Sequence, residues 1–443
     1  MKKKYPRVLL FLILQFICFP IWSQNKADTT WYNESKGLIK SIGKSQDSVK
    51  VGHWKTFFNE GTLESEGNYT NGAKSGQWKY WYSDGTLMLD EQVENGPCIV
   101  YDELGAKKTS WTHKNGQKEG LLTEYYPNGA VKQEIPYVNG HKVGLTKSWH
   151  PDGKLSFTGE YKNDSLNCHG KWWHTDGSLE MEGELKNDLQ EGVWIFYHTN
   201  GKKGSEGVFS KGSQSGTWQY YYETGELWKK GDYSLGKRQG HWIVYYENGS
   251  KHHEGPFNED VEDGFWITYY EDGSINYQGN FAKGKMDGKW EGWYENRQKK
   301  YEHSYKAGIE HGPWNYWYPN GKKNYEGYYN QGKKNGLWSE YYKTGQLMSK
   351  GGYTNGKKNG NWMFYEPTGV LSREQGFKDD QPEGRFVSYH PNNIKANEGQ
   401  YTNGKQNGVW TFYDQKGQVL YAILYKNGSK VQTLRDERTK GKK

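Results

Sequence analysis

A chain of 443 residues with a mean hydropathy of −1.10 and only 33% hydrophobic residues has too little aliphatic material for an ordinary globular core of this length. Aromatic residues nevertheless make up 16% and recur at fixed spacing, which excludes a disordered polymer. The net charge of +7 falls to +3 when the four basic residues Lys2, Lys3, Lys4 and Arg7 are set aside, so the chain carries no nucleic-acid footprint.

Residues 1–23 read as a secretory signal peptide. The basic start is followed by the apolar stretch Val8 to Ile17, and Ser23 is a small residue before a cut at Gln24. Cys18 follows Ile17 rather than a small residue, which argues against lipid attachment. The mature chain is therefore expected to be secreted, periplasmic or held in the cell envelope. Residues 24–51 read as a degenerate N-terminal cap repeat, with Gly37, Ile39 and Gly43 at repeat positions. Residues 52–428 are an array of 16 copies of one unit of 24 residues, clearest from Gly312 to Asn335. Its leading glycine runs from Gly52 to Gly408 in steps of 24, except for 20 after Gly76 and for 26 and 22 around Gly170. The copies led by Gly96, Gly120 and Gly144 are the weakest, and Cys98, Leu122 and Thr146 in them read as drift or, alternatively, as an altered surface patch. Residues 429–443 are basic, lack aromatic residues and read as a flexible tail.

Positions within a copy are counted from the leading glycine as position 0. Position 2 is Trp in twelve copies, Trp172 included, and position 5 is aromatic in nearly all. Position 9 is usually Gly, position 15 often Gly, and position 17 mostly Tyr or Phe. Aromatic runs between Gly, Asn and Asp read as strands and turns, so each copy is one hairpin. The expected fold is all-β, an elongated single-sheet solenoid of stacked antiparallel β-hairpins. Thr224 and Thr344 at position 8 disfavour a two-residue loop needing positive φ there. Pro127 and Pro319 at position 7 suit a type I turn, so the loop should have three residues and end on a left-handed glycine such as Gly225. Asn393 tolerates that conformation, whereas Arg297 predicts a distorted loop. This register pairs position 5 with position 11. Strict alternation then places 15 and 17 on the same face as 5, and Trp at 2 on the other face with 4. Position 2 is expected to pack. Position 5 is expected to be the more exposed, giving a candidate binding surface of Tyr221, Tyr245, Tyr269, Trp293, Trp317, Tyr341 and Tyr365.

Residues that carry chemistry are scattered. His53, His113, His252, His253, His303 and His311 form no ligand set, and the adjacent His252 and His253 should point to opposite faces of a strand. Cys168, His169 and His174 lack a second nearby cysteine, and Cys98 and Cys168 lie too far apart to pair. Glu66, Glu206, Glu254, Glu326 and Glu398 recur at position 14, as a solvated structural face would. No catalytic residue, cofactor site or metal site is expected, and the chain does not read as an enzyme.

The pattern YxNGKxxGxWxxYYxNGxLxxEG, seen in outline from Tyr353 to Gly376 and from Tyr401 to Gly417, resembles the MORN-repeat variant family. That family includes bacterial proteins labelled as antitoxins of toxin–antitoxin systems. The resemblance spans roughly residues 52–428 and implies hairpins stacked in one extended sheet, with roles in scaffolding, membrane association and partner binding. The aromatic repeats are also similar to choline- and glucan-binding units, although the NGKxxG connector argues against them. The function expected is a secreted or envelope-associated, non-enzymatic scaffold. It would bind protein or glycan partners through an aromatic-lined sheet, with a membrane surface as a further partner and no nucleic acid. The alternative is an antitoxin or immunity protein that neutralises a toxin partner.

Overall fold

The computed structural model describes residues 27–437, so residues 1–23, which read as a signal peptide, and Cys18 among them lie outside the described residues. The chain divides into two compact units, one up to Leu166 and one from Asn167. Each is an antiparallel sheet of successive hairpins, and no α-helix occurs among the described residues.

The copy led by Gly216 shows how the unit is built. Ser213–Tyr221 and Leu227–Ser234 form its two strands. At the tip, Tyr222 N donates to Glu226 O and Gly225 N donates to Tyr222 O, both at 2.9 Å. Gly225 has φ +95°, which completes the three-residue loop read from the sequence. Arg297 departs from the expectation of distortion. It takes φ +62° and its N donates to Tyr294 O at 2.8 Å, so the loop keeps its shape and the strain falls on one residue. The connector to the next copy is a two-residue loop with positive φ at both positions, as at Lys211 (+49°) and Gly212 (+78°). This is the type I′ geometry that matches strand twist.

One extra residue corrects the assignment of faces. Tyr221 pairs with Leu227 as expected, but Tyr220 pairs with Lys229, leaving Trp228 at position 12 as a bulge. The alternation resets there. Trp218 pairs with Gly231 and Gly216 with Tyr233. Positions 2, 4, 13, 15 and 17 therefore share one face, here the tryptophan face. Positions 15 and 17 do not lie with position 5, because a bulge shifts every later side chain to the other side.

On the tryptophan face most indoles at position 2 lie over the position-15 glycine of the preceding copy. A Cβ built on Gly207 would overlap the ring of Trp218, and Gly183, Gly231 and Gly279 stand in the same relation to Trp194, Trp242 and Trp290. The indole N–H then reaches the carbonyl one residue past that glycine, for example Trp218 Nε1 to Val208 O at 3.1 Å. Rings at position 17 fill the spaces edge-on: Phe209 lies 5.1 Å from Trp218, and Tyr233 lies 5.1 Å from Trp242. Trp194, Trp218 and Trp362 are each only 1% exposed. A single-layer sheet thus makes its core out of rings laid on its own backbone.

The true start of one copy also differs from the sequence reading. Cys168 pairs with Leu185 as position 0 does with position 17, and Gly170 pairs with Gly183 as position 2 does with 15. The copy begins at Cys168, the steps of 26 and 22 both become 24, and Trp172 stands at position 4. Gly170 is the missing tryptophan, and the ring of Trp172 swings over it to within 5.3 Å of Trp194. The expected flexible tail is partly a strand as well. Asn427 and Gly428, at φ +50° and +84°, form another type I′ loop that returns Ser429–Asp436 along Val419–Lys426.

Candidate binding groove

The seven residues expected to bind are half-buried and are tied to their own sheet. The hydroxyls of Tyr221, Tyr269 and Tyr341 donate to Glu206, Glu254 and Glu326 of the preceding copy at 2.6–2.7 Å. Desolvation, then the carboxylate bond, pushes Tyr221 and Tyr269 up to about 12. The reciprocal effect appears at Glu182, held down to about 2, first by the hydrogen bond from Tyr197. The recurring position-14 glutamates therefore brace neighbouring copies. Lys299 and Lys323 lie 5.5 and 5.8 Å from the rings of Trp293 and Trp317. Tyr365 donates to Met363 Sδ at 3.4 Å, and the carbonyl of Tyr245 accepts from Tyr222 at 2.8 Å. Trp293 lines a 480 Å³ hollow beside Asp272 and Arg297.

The larger site is on the tryptophan face and was not read from the sequence. Two cavities of 580 and 470 Å³ share His252, His253 and Trp266 and form a groove across the copies led by Gly216 to Gly288. Its cause is position 4. Tyr220 and Tyr316 bring large rings to that row, whereas Val244, Thr268 and Gly292 between them leave space. Trp242 and Trp266 form the floor, only 4% and 7% exposed, while Trp228 and Tyr277 stand 39% and 38% exposed beside it. Tyr301 covers Gly292, and burial raises its hydroxyl well above the ordinary range.

The charged groups of the groove are Lys229 and Arg238 in one cavity and the carboxylate Glu262 in the other, with the His252 and His253 pair shared between them. The Lys229 ammonium lies 4.5 Å from the centre of the Tyr220 ring and 4.2 Å from that of Trp228, and has no carboxylate partner among the described residues. Burial, then the nearby Arg238, lowers its pKa. Arg238 covers Phe257 at 3.9 Å and pairs with Asp260 at 3.0 Å. His252 and His253 do not point apart as expected. His252 is the bulge residue, so both rings line the groove with their Nδ1 atoms 3.1 Å apart. Burial, then the neighbouring His252, lowers His253. The bulge is what hid the groove: counted by strict alternation, positions 12 and 13 cannot both face Trp242 and Trp266. The visible signal was Val244, Thr268 and Gly292 in successive copies, alongside a histidine pair.

Among the described residues no three His, Cys, Asp or Glu side chains gather to hold a metal ion. Cys98 is a buried free thiol. His169 is taken up by Glu182 and Glu184 at 3.2 and 3.0 Å. No helix among the described residues is long and apolar enough to cross a membrane.

No curated protein matches the chain. Among solved structures, the crystal structure of TcdB2-TccC3 aligns at 11% identity and a TM-score of 0.15, over 90% of this chain and 27% of that one. The Photorhabdus luminescens Tc holotoxin pore with a TccC3 D651A mutation aligns at 11% identity and a TM-score of 0.12, over 89% and 23%. The chain thus spans about a quarter of the length of these proteins, and likeness at that level carries no argument about its fold or role. The repeat itself is decisive. Ten segments match the MORN repeat variant, at residues 50–71, 118–139, 142–163, 190–210, 214–234, 238–259, 262–283, 310–331, 334–355 and 406–427. These segments follow the period of the hairpins, and the chain belongs to the MORN repeat variant family.

Proposed function

We propose that this repeat scaffold is exported and binds a partner in the cell envelope without enzymatic turnover. The observation that supports this most is the groove. It is long, aromatic-floored and open, and its exposed Trp228 and Tyr277 supply contact area with polar atoms close by. The partner is a protein or a glycan held across several copies, and the basic N-terminal segment followed by Val8 to Ile17 supports export.

The test is recovery of envelope components on the immobilised full chain, with wild type compared against the Trp228→Ala, Tyr277→Ala double variant. Partners retained by the wild type should be lost by the variant, with melting unchanged. Equal recovery by both would remove the groove as the docking site. Recovery of a single dominant toxin-like protein would replace the scaffold reading with an immunity role.

A further inference from the structure

Lys229 is the unusual group of the groove. It sits half-buried between the Tyr220 and Trp228 rings, beside a second cation, and no carboxylate answers it among the described residues. Elsewhere on the sheet, lysines such as Lys203, Lys251 and Lys395 are paired with glutamates at 2.8–2.9 Å. Lys334 also lies over a ring, 4.2 Å from that of Trp338, so what sets Lys229 apart is its place in the groove beside Arg238. A desolvated cation left without a counter-charge in an aromatic cleft is a place for an anion from outside.

Resting on the scaffold reading, we infer that the groove binds an acidic polysaccharide, with Lys229 receiving a carboxylate and Trp228 and Tyr277 stacking on sugar rings. Two features select a sugar over a peptide. The groove lies on the face of a sheet, where backbone groups are already paired in the ladders, so a peptide has no edge on which to add a strand. Hydrogen-bonding groups instead come from side chains, namely His252, His253 and Thr268, with Glu262 at the end of the groove away from Lys229 placed to accept from sugar hydroxyls. That suits a ligand rich in hydroxyls and flat apolar ring faces.

The test uses the full chain and three probes: sodium polygalacturonate, neutral dextran and poly-L-glutamate, compared by retardation in affinity gels. Polygalacturonate should be retained in preference to the other two. Lys229→Met should weaken that retention about tenfold, the loss expected for one charge-assisted contact, and Trp228→Ala should weaken it as well, both with melting unchanged. Equal retention of dextran, unaffected by Lys229→Met, would overturn the acidic ligand and leave a neutral glycan scaffold. Poly-L-glutamate bound as well as polygalacturonate, with Trp228→Ala silent, would reduce the site to charge attraction. Retention of none would overturn the inference, while the envelope recovery would still decide the scaffold reading separately.

Discussion

The copies from Gly192 to Trp290 and the copies led by Gly96, Gly120 and Gly144 solve one packing problem in two ways. In the first stretch a glycine at position 15 receives the next copy's indole: Gly183 and Trp194, Gly207 and Trp218, Gly231 and Trp242, Gly255 and Trp266, Gly279 and Trp290. In the second the sizes are exchanged. Glu91 pairs with Cys98, Trp111 stands before Leu122, and Ile135 stands before Thr146. Cys98 and Thr146 are nonetheless 0% exposed, and Leu122 is 5% exposed. What persists between copies is the filled volume, not the tryptophan, because a close-packed interior tolerates a swap of shapes but not a void. In these copies the buried volume is kept with the large and small residues exchanged.

The sharpest way to break that comparison is to mix its two halves. Gly207→Ile alone should expel the Trp218 indole from its bed, a loss of about 3–5 kcal/mol, comparable to deleting a buried aromatic ring. Adding Trp218→Thr recreates the Ile135 and Thr146 solution and should recover a large part of it. Urea unfolding of the full chain reads both. A double variant no more stable than Gly207→Ile would mean that the exchange of sizes is incidental.

A second pair of variants sets one face against the other. Trp338→Ala removes a ring that is 2% exposed and whose Nε1 donates to Tyr328 O at 3.2 Å. It should cost about 3–5 kcal/mol. Trp317→Ala removes a half-buried ring at position 5, held by Lys323, and should cost about half as much or less. Equal losses of melting temperature would mean that both ring rows are structural to the same degree.

The hairpin and its loop were legible in the sequence because they depend on local chemistry. Pro at position 7, Thr at 8 and Gly at 9 specify a turn whatever surrounds them. The faces were not legible, because one bulged residue at position 12 leaves no compositional mark. Trp228, His252, Lys300 and Ser372 share nothing except their place in the register. The groove was hidden for the same reason, and Cys168 was missed because the leading glycine was taken as the only marker of a copy. The leading glycine earns that trust elsewhere through backbone need, as at Gly216 with φ +63°, where the strand bulges between copies.

The loop supplies a smaller effect. Gly225→Val asks a β-branched residue to hold φ near +95° and should cost about 1–2 kcal/mol, whereas Thr224→Val should be mild. Arg297→Gly is the converse. It should relieve part of the strain at φ +62° and stabilise the chain by up to about 1 kcal/mol, read as a rise in melting temperature. A fall would show that the Arg297 pair with Asp272 at 3.6 Å outweighs the backbone.

A last effect separates one copy from its neighbours by pH. His303 occupies the position-15 site where glycine normally stands, and its ring lies flat on Trp314, centroids 3.6 Å apart and planes 4° from parallel. Tyr301 stacks at 4.6 Å, and the buried Nε2 has no hydrogen-bond partner. Burial lowers the imidazole from 6.5 to about 4, so the folded chain holds it neutral where the unfolded chain would already have charged it. A group with a depressed folded-state value adds its stability in full above pH 6.5. It then loses that contribution as pH falls from 6.5 through about 4. The wild-type chain should therefore lose melting temperature across that window by more than the His303→Gly variant, which restores the glycine bed and has no imidazole to charge. Parallel pH curves for the two proteins would show that the His303 ring tilts out to water on protonation without cost to the fold.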